Sequence, residues 1–375
     1  MKRLTLFYLV LLSFSFARSG KTQTISKLKF INEFVVPFNR NFKSTTIGGL
    51  SGIDYDKDHD VFYVVSDDRS DINPVRFYTA KIHINEKGID RVDFSDVHFL
   101  LQADGSNYPS FKVHPEGSVD PEDIRFNSKT NELYWSSEGE RILNRQEPIL
   151  IKTAILFSRL DGSNTGSLPL PENLTMQVKE TGPRRNGGLE GISFNRDFTR
   201  LYAALEEPLY EDGPRAEVEK TSSWVRFFKY DMKTNQNTAQ YAYGLEPVAF
   251  PPSPANAFKI NGVSDILALD ETHMVVVERS YSSGRLPCTI KVFLADFSSS
   301  NNVKDVSSLT LNPPTSPAIK RLILNMDDLG IHIDNVEGVT FGPPLANGHQ
   351  TLLFVTDDNF QQKQKTQFLL FEIIP

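Results

Sequence analysis

Oxygen-bearing side chains recur along this chain at a regular interval. Ser51, Glu122, Glu190, Ser264 and Glu337 each stand at the start of a short apolar run, and Asp67, Glu138, Glu206, Glu278 and Asp357 each close the apolar run that follows. Arranged around one axis, the first set would converge on that axis and the second would surround it. Three carboxylates about 6 Å apart (Glu122, Glu190, Glu337) in an effective dielectric of about 20 repel by about 3 kcal/mol per pair, about 8 kcal/mol together. Proton uptake or a cation relieves that repulsion. A donor set of carboxylates and hydroxyls suits Ca²⁺, which takes hard oxygen ligands in loose geometry, whereas zinc calls for His or Cys. The seven His are scattered without HExxH or paired spacing, and Cys288 is the sole cysteine. The plainer alternative is that these acids accept hydrogen bonds from backbone amides in tight Glu-Gly and Glu-Asp turns; the two readings are compatible.

Arginines follow the acids. Arg69 comes after Asp67-Asp68, Arg141 after Glu138-Gly139-Glu140 and Arg279 after Glu278, while Arg184 and Arg185 precede the third strand-opening turn. Guanidinium groups match phosphate and carboxylate with paired donors. A rim holding both a cation and arginines fits a small phosphorylated or otherwise anionic substrate; neighbouring Arg and acid side chains that merely neutralise one another are the competing explanation. On the functional reading, Asp67, Glu138, Glu206 or Asp357 serves as general base, and Arg69, Arg185 and Arg279 clamp the anion. No Gly-x-Ser-x-Gly elbow exists, since Gly49-Leu50-Ser51-Gly52 is followed by Ile53. Hydrolysis, if it occurs, therefore points to water activated by a metal or a carboxylate. The alternating aspartates of 54–60 lack the glycine and terminal glutamate of a calcium loop and read as a hairpin turn.

The elements that must position these groups form a repeat. Ile53, Ile124, Ile192, Ile266 and Val339 are equivalent positions spaced 71, 68, 74 and 73 residues apart. Each unit contains two short apolar strands joined by a polar hairpin and room for two more, a period that marks a repeat architecture. The expected further strands are Arg76–Ile82 and Val97–Gln102, then Ile149–Leu160, then Trp224–Asp231 and Gln240–Tyr243, then Ile290–Phe297 and Ile319–Leu324. The last unit retains only Gln367–Ile373, and its missing outer strand is available in Ser26–Val36. This predicts an all-β propeller of five four-stranded blades, closed by pairing of the N- and C-terminal strands so that no sheet edge is left open. A sixth, degenerate blade within 207–254 is the alternative.

Composition narrows the class. The chain has 375 residues, 39% hydrophobic and 23% charged, with a net charge of −7. No basic excess exists to displace phosphate counterions, which argues against a nucleic-acid partner. Twenty-seven Phe and recurrent apolar runs argue against disorder. After the first residues no apolar stretch is long enough to insert in a membrane. Lys2-Arg3, the apolar Leu4–Leu12 and Ser15-Phe16-Ala17 have the three-part form of a signal peptide over residues 1–17, implying export to a periplasm or outside the cell, with 18–375 as a single propeller domain.

As a set, Gly48–Asp56, Asp120–Ile124, Gly187–Ile192 and Val336–Phe341, together with the strand endings Val64–Arg69, Trp135–Glu138 and Phe354–Asn359, resemble the exported family called "esterase-like activity of phytase". The likeness spans about residues 45 to 375 and implies a phytase-like propeller with phosphoester or ester hydrolysis. The order Ser51, Glu122, Glu190, Ser264, Glu337 is also similar to the tunnel ligand set of calcium-activated nucleotidases, five-bladed propellers whose central Ca²⁺ helps bind and cleave nucleotides. These resemblances imply a calcium-dependent hydrolase of phosphate esters or anhydrides. The rivals are a non-catalytic binding propeller with a structural calcium ion and a calcium-dependent ester or lactone hydrolase.

Overall fold

A computed structural model describes residues 25–375; the leader read over residues 1–17 lies outside them. Five four-stranded antiparallel sheets follow one another around an axis. Blade I comprises Leu50–Asp56, Val61–Ser66, Arg76–Asn85 and Gly88–Phe99; blade II comprises Pro121–Asn127, Glu132–Ser137, Ala154–Arg159 and Asn164–Ser167. Blade III runs through Leu189–Phe194, Arg200–Leu205, Trp224–Asp231 and Gln236–Gly244, and blade IV through Lys259–Ala268, His273–Ser282, Thr289–Asp296 and Ile319–Asn325. Blade V takes Asn335–Gly342, Thr351–Asp357 and Thr366–Ile374, and its outer strand is Lys27–Val36, antiparallel to the last from Lys27↔Ile374 to Val36↔Thr366. The expected closure by both termini is thus present.

Two expectations are corrected. Residues 207–254 hold no sixth blade, because 224–244 is spent on the outer half of blade III. Ile149–Leu160 is not one strand. Ile149–Ile151 pairs with Glu140–Ile142 in a separate ribbon, and Ala154–Arg159 with the additional strand Asn164–Ser167 completes blade II.

The inner hairpins turn on side chains that mimic a backbone turn. Asp56 accepts the amides of Asp58 and His59, Asn127 those of Lys129 and Thr130, and Asp270 those of Thr272 and His273. The 54–60 loop is therefore a hairpin turn. Apolar side chains fill the spaces between blades: Tyr63, Val65, Phe77, Ile124 and Trp135 between I and II, and Ile53, Val64, Leu353, Val355 and Phe368 between V and I. Each such side chain, fully withdrawn from water, contributes about 1.5–3 kcal/mol.

Every innermost strand carries a β-bulge at the same place. Pairing with the second strand slips between Leu50 and Gly52, Pro121 and Ile124, Leu189 and Ile192, Val263 and Asp265, and Val336 and Gly338. Ser51, Glu122, Glu190, Ser264 and Glu337 lie inside those slips, accompanied in blades II and III by Asp123 and Gly191. A bulge re-aims the side chain it carries, so all five occupy one special level of the tunnel.

Directly beyond that level the tunnel is plugged. The position after the bulge residue reads Gly52, Asp123, Gly191, Asp265, Gly338. Asp123 accepts the amides of Ile124 and Ile192, at 2.7 and 2.8 Å, and Asp265 those of Ile266 and Val339, both at 2.6 Å. Each aspartate thus ties its own blade to the next. The intervening glycines make room: a Cβ on Gly52 would fall 2.6 Å from Asp123 Cα, and one on Gly191 2.6 Å from Asp265 Oδ1. Buried Arg125 spans the bore. Its Nη2 lies 2.7 Å from Asp265 Oδ1 and 3.0 Å from Asp123 Oδ2, and its remaining N–H groups donate to the carbonyls of Ile53 and Ile192.

Candidate metal and anion site

On one side of the Arg125 plug the strands leave a cavity of about 480 Å³ lined by Asp67, Asp120, Glu122, Glu138, Glu190, Glu206, Asp334, Glu337 and Asp357. Against these nine acidic residues stand Arg69, Arg279 and Lys363. The acids come from two rungs of the fold. Glu122, Glu190 and Glu337 are the bulge residues. Asp67, Glu138 and Glu206 lie just past the second strands and Asp357 ends its own, opposite Gly49, Asp120, Gly188 and Asn335.

Oxygens from these side chains gather in three groups whose members lie within 4.8 Å of one another: Asp67, Glu337 and Asp357; Asp120, Glu122 and Glu138; Glu138, Glu190 and Glu206. The three bulge glutamates thus fall one to each group, each meeting second-strand acids, where the sequence had them meeting one another. Internal hydrogen bonds satisfy only part of the cluster. Glu138 accepts the Gly188 amide at 3.0 Å, Asp357 the Asn359 amide at 2.6 Å, and Glu337 the Asn335 amide group at 2.7 Å. Among the described residues, the carboxylates of Asp67, Glu122 and Glu190 accept no hydrogen bond.

Such crowding raises proton affinity. Burial first, then the neighbouring carboxylates, lifts Asp67, Glu122, Glu138, Glu190 and Asp357 well above the ordinary carboxylate range. Asp120 is pushed up to about 7 by burial, against the opposing pull of Arg69. Burial also raises Glu206 and Glu337, with Arg279 working the other way. Clustered, dry, all-oxygen donors that cannot all ionise alone are a set that fits a hard divalent cation.

Arg69 reaches Asp120 at 3.1 Å and Glu140 at 3.2 Å, its guanidinium 3.6 Å from the centre of the Phe111 ring. Arg279 reaches Glu206 at 2.7 Å and Glu337 at 3.9 Å. Arg69 Nε and Nη2 and Arg279 Nε have no partner among the described residues, leaving donors uncommitted.

Other expected residues are placed elsewhere. Arg185 lies outside the cavity lining, half-exposed, 3.0 Å from Glu140. Arg141 donates to the carbonyls of Gln177 and Val178, and Arg184 to those of Pro208 and Gly213. Ser51 donates to the Pro121 carbonyl at 3.3 Å, and the buried Ser264 hydroxyl has no partner among the described residues; neither lines the cavity.

Glu278 requires a correction. It stands opposite Val263, on the rung occupied elsewhere by Ser66, Ser137, Leu205 and Thr356, and it faces away from the mouth. There it accepts from Tyr243 at 2.7 Å, Asn261 at 2.7 Å and Lys320 at 2.6 Å. Arg279, opposite Gly262, holds the rung of the ring acids. Asp120 was missed as a site residue, although its place in Asp120-Pro121-Glu122-Asp123, facing Glu138 across the hairpin, was available in the repeat.

The fold and this mouth define a five-bladed propeller whose tunnel opens into a buried acidic cup on one face. The chain belongs to the family described as esterase-like activity of phytase, a phytase-like model that matches residues 45–360. No curated protein sequence shows significant similarity to it. Among solved structures it is similar to a protein of unknown function from Dyadobacter fermentans, at 12% identity over 93% of this chain and 100% of that one, with a TM-score of 0.41. It is also similar to a gluconolactonase from Xanthomonas campestris, at 8% identity over 92% and 95% of the two chains, with a TM-score of 0.35. Likenesses this distant carry no functional argument.

Proposed function

We propose that this chain is an exported, calcium-dependent hydrolase of phosphate esters or anhydrides that works at the acidic mouth. The observation that carries the reading is the pairing of nine acidic residues with two arginines in the lining of one cup. A cup of this kind is poorly suited to an anion by itself and well suited to one arriving beside a divalent cation. The family name, with its reference to phytase, supports a small phosphorylated substrate. The leader-like residues 1–17 support export.

Glu122, Glu190 and Glu337, together with the second-strand acids around them, would hold the ion; Ser51, which donates to the Pro121 carbonyl, would brace blade I against blade II beneath it. Bound there, Ca²⁺ would supply charge neutralisation at a phosphoryl oxygen and acidify a water. Arg69 and Arg279, both in the lining of the cup, would orient the anion. Asp67, which accepts no hydrogen bond and is raised by burial, is the best-placed base to take a proton from water, with Asp357 in the same group to share it. Glu206 is held by Arg279 and would serve charge balance, and Glu138 is partly committed to the Gly188 amide.

The test is phosphate release from phytate, nucleotides and sugar phosphates by the purified protein, in calcium and in chelator. Calcium-dependent release is the expected result. No release from any member of the panel, with calcium bound, would move the assignment to a binding propeller or to ester and lactone substrates.

A further inference from the structure

The mouth is not uniform around its circumference. On the blade IV side its lining is Phe258, Ile260, Tyr281 and Leu286. Phe258 is 57% exposed and Leu286 56%, so two large apolar side chains border a charged cavity uncovered by any described part of the chain. The backbone explains their position. Ile260 pairs with Tyr281 across the first hairpin of the blade, and Phe258 lies just before that strand, its ring centre 6.2 Å from that of Tyr281. Tyr281 is two residues beyond Arg279 on one strand, so both side chains leave the sheet on the same face. The blade that replaces the ring acid with an arginine is therefore the blade that carries the apolar wall.

A cation and an apolar surface side by side select a ligand with an anionic head and an apolar body. The wall consists of four side chains, two of them the tilted aromatic pair, a patch that suits a single ring rather than a protein partner or a long acyl chain. Resting on the phosphoryl reading of the site, we propose that the organic part of the substrate is a planar ring that packs on Phe258, Tyr281 and Leu286 while Arg279 and the metal take the phosphoryl group. The site then accepts aryl phosphate esters in preference to polyol phosphates.

Calorimetric titration of the calcium-loaded protein with phenylphosphonate and methylphosphonate tests this without requiring turnover, since neither has an ester to cleave. Phenylphosphonate is expected to bind about tenfold tighter than methylphosphonate, the contribution of a partly buried ring. Phe258→Ala should bring the two within about twofold of each other with the calcium titration unchanged; because Phe258 is exposed, folding is not at stake. Equal affinities in the parent protein, or a preference that survives Phe258→Ala, would overturn the ring site and leave the phosphoryl reading standing. Binding of neither phosphonate would overturn the phosphoryl reading and the ring site with it.

Discussion

Arg279 of blade IV places its Nη2 2.7 Å from Glu206 Oε1 of blade III, on the rung where the other four blades carry carboxylates. One charge of the ring is therefore inverted, and the contact spans a blade boundary. The inversion prepares the cup for an anion beside a cation, at some expense to the attraction felt by the cation alone. Arg279→Gln is accordingly expected to tighten calcium binding several-fold and to raise KM for a phosphate substrate by about tenfold or more, the loss of a charge-assisted contact. Calcium titration and steady-state kinetics on one preparation check both halves. Weaker calcium binding in the variant would contradict the charge argument.

Glu190 is the buried bulge glutamate flanked by Glu138 and Glu206 and accepting no hydrogen bond. Replacing it with Gln keeps the volume and removes the charge. Calcium affinity should fall at least about tenfold, since each carboxylate contributes strongly to a hard-cation site. Glu278→Gln is the control: lying outside the mouth, it should leave the calcium midpoint in place. A Glu190→Gln protein that titrates like the parent would remove Glu190 from the ligand set.

Stability should depend on pH with opposite sense in the two states of the protein. Asp120 rises from an ordinary 3.8 to about 7 in the fold, and its neighbours rise with it. Between those values the folded ion-free protein holds more protons than the unfolded chain, so its stability falls as pH rises from about 4 to about 7. Calcium requires the ionised carboxylates, so its stabilising increment grows over the same window. Thermal melts at pH 5 and pH 8 should give a higher Tm at pH 5 in chelator, and a larger calcium-induced rise at pH 8. A chelated protein that melts higher at pH 8 would show that the cluster is not under charge strain.

Arg125 is the plug on which two interblade aspartates converge. Arg125→Met fills much of the bore but strands Asp123 and Asp265 as buried charges facing each other. Urea denaturation should register a loss of about 3–5 kcal/mol, as for breaking a buried ion pair from one side. Asp265→Asn in the same background should restore part of it. A loss below about 1 kcal/mol would mean that the amide hydrogen bonds of Asp123 and Asp265 hold the blades without the guanidinium.

Blade number, closure and most strands were legible in the sequence because each rests on a local signal repeated five times: an apolar strand, a turn residue and a second apolar strand. Blade II departed from expectation where that signal lapses, since Gly139 and the polar Asn144–Glu147 interrupt the chain and a four-residue strand such as Asn164–Ser167 carries no apolar pattern. The acids of the cup were legible as a set, because their types recur at equivalent points. The partition of those acids into three groups was not, nor was the plug, because Arg125 reads as an ordinary strand residue until four other blades surround it.

What the sequence by itself determined is the repeat, the propeller and the concentration of carboxylates on one face, all consequences of a period that is visible in one dimension. Tertiary structure alone decided that Arg279 and not Glu278 enters the ring. The reason is that successive strand residues face opposite sides, so a slip of one in register exchanges the solvent-facing and core-facing sets. That register is set by the hairpin, in which Ile266 faces Val276, ten residues on, where Ile53, Ile124 and Ile192 face residues eleven on. The same geometry decides which residues share the mouth with the acids: Phe258, Tyr281 and Leu286 meet Glu190 and Glu337 only when five blades close into a ring.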